Sequence, residues 1–123
     1  MKAIPESKWP WLIETKRLDM KIRWHNKEYC LYEIIRKTTG DKVGETSYFH
    51  DGQIVCEIYE AYRGADYEVE VIKTLVKNVP TAPTPYLRVR KTDDASKCIA
   101  ERSGFRKTQN SDSEKFDLWF YSL

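Results

Sequence analysis

The stretch Glu57-Ile58-Tyr59-Glu60-Ala61-Tyr62-Arg63-Gly64-Ala65-Asp66-Tyr67-Glu68-Val69-Glu70 decides the fold. It reads as a strand, a tight turn around Gly64 and the start of a helix. At such a junction the first helical N–H groups have no partner within the helix and point outward, where they suit phosphate groups. Asp66 and Glu68 place two carboxylates where a phosphate would meet bare amides. The same acids also suit the first turn of a helix, whose N-terminus carries positive partial charge.

Working outward, the sequence predicts strands on the N-terminal side. Leu18, Met20 and Ile22 alternate with Asp19, Lys21 and Arg23, a period-2 signal within residues 12–23. His25 to Glu28 reads as a turn, Tyr29 to Lys37 as a strand, Thr38 to Asp41 as a turn, and Lys42 to Phe49 as a strand. Asp51-Gly52 is a hairpin signal leading into a strand over residues 53–62. The period then changes. Val69, Ile72, Val76 and Val79 recur at helical spacing, and Glu70 is placed to pair with Lys73. Pro80, Pro83 and Pro85 end that helix. Tyr86 to Arg90 is a short strand, and the acidic Asp93-Asp94 pair opens a helix running to about Ser103, with Gly104 after it. Phe105 to Thr108 and Phe116 to Tyr121 close the chain as strands, joined by a polar loop over residues 109–114. The order β-β-β-β-α-β-α-β-β is an α+β arrangement, with a mixed sheet and a right-handed crossover in its middle.

The chain's 123 residues suit one domain spanning 1–123. Net charge is +2, from 21 basic and 19 acidic residues, which gives no electrostatic footprint for nucleic acid. No apolar run reaches the roughly 20 residues of a membrane helix, and no signal peptide is evident after Met1. Cys30, Cys56 and Cys98 form no CxxC pair, fit a reducing cytoplasm and read as small buried hydrophobes. His25 and His50, in expected turns, read as surface histidines, and no metal site is indicated. Trp9-Pro10-Trp11 reads as an N-terminal arm that caps the core or offers a partner surface.

Several segments together resemble the GNAT-type acetyltransferases, in particular the branch that acetylates protein N-termini or small amines. Glu14-Thr15-Lys16-Arg17-Leu18 is similar to that family's opening E-T-x-R-L. Residues 53–64 resemble its strand into an E-Y-R-G turn. Asp93 to Ser96, followed by Gly104-Phe105, resembles its N-x-x-S…G-F segment, and Asp117 to Leu123 its D-x-x-x-Y-S-L end. The resemblance implies a mostly antiparallel sheet flanked by helices. Acetyl-CoA would lie in a V-shaped gap between the strands of residues 53–62 and 86–90. Coenzyme contacts would fall to Ile58, Tyr59, Arg63, Gly64, Ala65, Asp66, Tyr67, Asp93 and Ser96. The implied reaction is acetyl transfer to an amine, on a small molecule or a protein N-terminus, with Glu57 as general base and no metal.

The departures point to a second function, a non-catalytic binding module with weakened coenzyme affinity. Asp66 and Glu68 occupy the two positions where the family's loop keeps small residues. A like-charge contact at about 4 Å and an effective dielectric near 20 costs roughly 4 kcal/mol. The two helices that the family inserts between its first two strands are missing, because residues 24–28 form only a turn. That opens half the acceptor pocket and leaves a sheet face or the N-terminal arm available for a homodimer. Ala100 stands where many members carry an acidic Tyr, so no general acid can be named. Arg88, Arg90 and Lys91 form a basic strand end that could meet coenzyme phosphates.

Overall fold

The computed structural model describes residues 10–78, 83–111 and 113–122. Trp9, Val79, Pro80 and the first six residues, on which parts of the sequence reading fall, lie outside them. The strands are β1 (Leu12–Glu14), β2 (Leu18–His25), β3 (Tyr29–Arg36), β4 (Lys42–Phe49) and β5 (Ile54–Ile58). A 3-10 turn (Glu60–Tyr62) leads to α1 (Tyr67–Asn78). β6 (Tyr86–Arg90), α2 (Asp94–Arg102), β7 (Phe105–Ser111) and β8 (Phe116–Tyr121) follow.

The strands form two sheets, ordered β1-β2-β3-β4-β5 and β6-β8-β7, with every ladder pair antiparallel. The α+β expectation holds, and three boundaries move. Residues 12–23 make two strands, because Thr15 turns the chain: its hydroxyl accepts the Leu18 N–H at 2.9 Å and its own N–H bonds the Leu18 carbonyl at 2.8 Å. β5 stops at Ile58, where the 3-10 turn begins. β7 runs on to Ser111, past the expected loop start, through an irregular pairing with β8. β2 and β3 are joined by a short turn in which Asn26 Oδ1 accepts the Glu28 and Tyr29 N–H groups at 2.7 and 2.9 Å.

The core lies between the inner face of the larger sheet and α1. Met20, Tyr32, Ile34, Tyr48 and Ile58 supply the sheet side, and Val71, Ile72 and Leu75 the helix side. The i, i+3, i+4 spacing of α1 puts those residues on one stripe, and complete burial of a Leu such as Leu75 is worth roughly 1.5–3 kcal/mol. The opposite sheet face carries no helix among the described residues, and Leu12, Trp24 and Val55 are exposed.

Other expectations change at the level of side chains. Glu70 pairs with Arg17 at 2.6 Å rather than with Lys73, and it also bonds the Thr15 hydroxyl, so α1 is clamped to the β1–β2 turn. His50 is buried, since it sits where β4 turns back under Glu28 and its N–H bonds the Glu28 carbonyl. Cys98 is exposed, because α2 buries little more than Ala100. The Arg88 and Arg90 guanidinium groups lie 3.6 and 4.9 Å from the Phe116 ring centroid, and Lys91 is 3.7 Å from Asp117. That basic end is engaged by its own small sheet.

Gly44 is the tightest point between β4 and β5. A Cβ there would stand 2.1 Å from the Glu57 carbonyl oxygen. Gly44→Ala is therefore expected to destabilise the fold by about 1–3 kcal/mol, seen as a fall of several degrees in Tm. Gly64→Ala has no atom within 4 Å to meet and strains only its positive φ, so its loss should be smaller.

Candidate active site

β5 and β6 meet at one end and part at the other. The junction is a parallel bridge between Gln53 and Tyr86, with the Tyr86 N–H donating to the Gly52 carbonyl at 2.9 Å. The Tyr86 hydroxyl donates to Asp51 Oδ2 at 2.8 Å. Past this point, among the described residues, β5 is laddered on one side only, to β4. Gln53 and Tyr59 both bond across to β4, through the Phe49 N–H and the Val43 carbonyl. The two-residue period of an antiparallel ladder then turns the peptide groups of Cys56 and Ile58 the other way, into the gap.

The gap holds a cavity of about 590 Å³, lined by β5, the loop before α1 and the first turns of both helices. A smaller space of about 150 Å³ continues to its apex, between residues 53–56 and 87–89. Of the expected coenzyme residues, Ile58, Arg63, Gly64, Asp66, Tyr67, Asp93 and Ser96 line the larger cavity. Tyr59 and Ala65 do not: Tyr59 turns toward the outer sheet face, 3.4 Å from Glu45, and Ala65 packs on the core.

The charged groups sit in distinct environments. Arg63 Nε donates to the Ile58 carbonyl at 3.1 Å, which brings the guanidinium to the end of β5. Asp66 has a positive φ of 67° and turns its carboxylate onto Arg102 of α2, with one contact at 2.8 Å and a second beside it. Asp93 caps α2, accepting from the Ser96 N–H at 3.0 Å and its hydroxyl at 2.6 Å, and these bonds hold its carboxyl below the usual range. Glu68 is half-buried and lines both cavities. Burial pushes its carboxyl up, the negative Asp93 adds to this, and Arg63 opposes it. Cys56 lines both cavities too, and burial raises its thiol, so it is no ready nucleophile.

Glu57 lies at the outer rim of the gap, exposed, opposite Glu45 on β4. Glu45 is neutralised by Lys42 at 2.7 Å, which holds its carboxyl below the usual range. Among the described residues no group of three His, Cys, Asp or Glu side chains could hold a metal ion. No described helix is long and apolar enough to cross a membrane. The Asp66–Arg102 pair was invisible to sequence reasoning, because 36 residues separate its members.

No protein-family model matches the sequence, and no curated protein matches it. Solved structures do resemble the fold. A chain assigned to the GNAT-family acetyltransferases, from Bordetella pertussis, superposes with a TM-score of 0.73 at 12% identity, covering 92% of this chain and 100% of that one. An acetyltransferase from Agrobacterium tumefaciens gives 0.72 at 14% identity, over 91% and 94% of the two chains. A ribosomal-protein alpha-N-acetyltransferase of the RimL type, crystallised with coenzyme A, gives 0.66 at 10% identity, over 89% and 96%. The chain has the fold of the GNAT acetyltransferases.

Glu68 gives the site a pH signature. Its folded-state affinity for a proton exceeds that of the unfolded chain. The associated stability is intact below the ordinary glutamate range and is lost as pH rises through the folded value. Glu68→Gln is expected to melt above the parent at about pH 7, with the difference closing toward about pH 4. Thermal unfolding across that range checks it.

Proposed function

We propose that the chain is an acetyl-CoA-dependent N-acetyltransferase acting on an amine. The observation that carries this is the parting of β5 and β6 beyond the Gln53–Tyr86 bridge, with the Cys56 and Ile58 peptide groups turned into the gap. An extended arm bearing amides could bond there as a strand would. The first amides of α1 and the Arg63 guanidinium lie at the wide end, and both suit a pyrophosphate. These residues fit the coenzyme, with the Asp66 and Glu68 carboxylates as the side chains that oppose it.

Acetyl-CoA would supply the activated acyl group as a thioester. The chain's own part is to orient and polarise. The Ile58 N–H is placed to bond the acyl oxygen, where an amide donor stabilises developing negative charge. Glu57, on the open rim, is the carboxylate placed to take the proton from an incoming amine, directly or through a water.

A second reading rests on Glu68. Its half-buried carboxylate, facing Asp93, sets negative charge inside the cleft, and that favours a binding module with little use for the coenzyme.

Calorimetric titration with acetyl-CoA separates the two. Binding at about micromolar Kd supports the enzyme, and no heat up to about millimolar overturns it. In the enzyme, Glu57→Gln is expected to lower kcat roughly a hundredfold or more while leaving the acetyl-CoA Kd unchanged.

A further inference from the structure

We propose that Arg102 is a phosphate-binding residue of this cleft, and that Asp66 masks it in the ligand-free chain. The inference rests on the coenzyme reading of the cleft and adds to it a residue and a competition that the loop motif does not contain. Arg102 is the last residue of α2, the helix whose first turns wall the cavity. It reaches across the mouth to Asp66, which lines the cavity directly before the first amides of α1. The guanidinium therefore already lies at the rim where a phosphate would sit.

The contact has the character of an exchangeable latch. Both side chains are about half exposed, at 48% and 51%, and ion pairs at such sites contribute little to stability. Asp66 occupies the left-handed region at φ 67°, and its carboxylate accepts from the Arg102 guanidinium. The planar fork of Arg binds carboxylate and phosphate in the same two-point way, so a phosphate can replace Asp66 without any change in the guanidinium's geometry. A phosphate would meet the α1 amides as well, which the Asp66 side chain does not. The other charges at this end have other holders. Arg17 is bound by Glu70, and Arg63 is directed to the Ile58 carbonyl. Arg102 is the cation whose partner stands in the ligand's own place.

The test is a double-mutant cycle read by calorimetry with coenzyme A, using pantetheine as the phosphate-free control. Asp66→Asn keeps the size and the tolerance for a left-handed backbone while removing the charge. It is expected to tighten coenzyme A binding about tenfold or more at low salt, less at high salt, and to leave pantetheine unchanged. Arg102→Gln is expected to weaken coenzyme A binding, and the double variant to lose the gain of Asp66→Asn. Asp66→Gly should reproduce the gain without the backbone strain. Unchanged affinity in Asp66→Asn and Asp66→Gly, or a gain that survives Arg102→Gln, overturns the assignment while leaving the coenzyme reading intact. Absence of coenzyme A binding in the parent and all variants overturns both.

Discussion

The bond from the Tyr86 N–H to the Gly52 carbonyl is where the two sheets become one body. Gly52 holds φ at 101°, and a Cβ there would come within 2.5 Å of the Thr84 carbonyl oxygen. Only glycine permits both the turn and the approach. The Asp51 carboxylate completes the joint by bonding Tyr86 Oη and the Gln53 N–H. Because β5 and β6 are fixed at this end alone, their divergence leaves peptide groups without a ladder partner. Unpaired strand edges bind whatever brings matching groups. The cleft is thus a consequence of a joint, and the helices only wall it.

The electrostatics of the cleft follow from which element carries each acid. Asp66 and Glu68 are two residues apart, yet their environments differ in kind. Asp66 sits on the loop, in solvent, with a guanidinium in contact. Its charge is balanced locally, and the cost of roughly 4 kcal/mol for an isolated like-charge contact does not apply to it in full. Glu68 is on the first turn of α1 and looks inward, where burial and Asp93 act together. In the proposed coenzyme reading, Asp66 would therefore act by holding Arg102, and Glu68 by setting charge inside the cleft.

Short-range signals made much of this legible from the residues. The Lys42–Phe49 and Tyr86–Arg90 strands, the Asp51-Gly52 turn, the α1 stripe and the Asp93 cap each depend on neighbours a few positions away. The break between β1 and β2 was hidden because no Gly or Pro marks it, and the Thr15 hydroxyl and N–H bonds to Leu18 end the first strand. Arg17 with Glu70 and Arg102 with Asp66 are long-range pairs that no local pattern encodes. His50 looked exposed because turns usually are, yet it is buried, with its N–H extending the β3–β4 ladder to the Glu28 carbonyl. The residues lining the cleft were readable as positions. Their partners, which decide their charge, were not.

The open outer face of the larger sheet bears on how such a site could work. Glu57 gains little from desolvation there, since it is exposed and its neighbours Glu45, Lys42 and Glu33 form a hydrated charge ladder. In the proposed acetyl transfer, catalysis at this rim would draw on position: an amine held near the acyl carbon and an N–H aimed at the acyl oxygen. Position in turn depends on Gly44, which brings β4 against the Glu57 carbonyl and sets where Glu57 and Ile58 stand along the edge. Excluding water from Glu57 then falls to the acceptor. One that covers the sheet face around Val55 and Trp24 would strengthen Glu57 as the proposed base, and one too small to do so would leave it solvated.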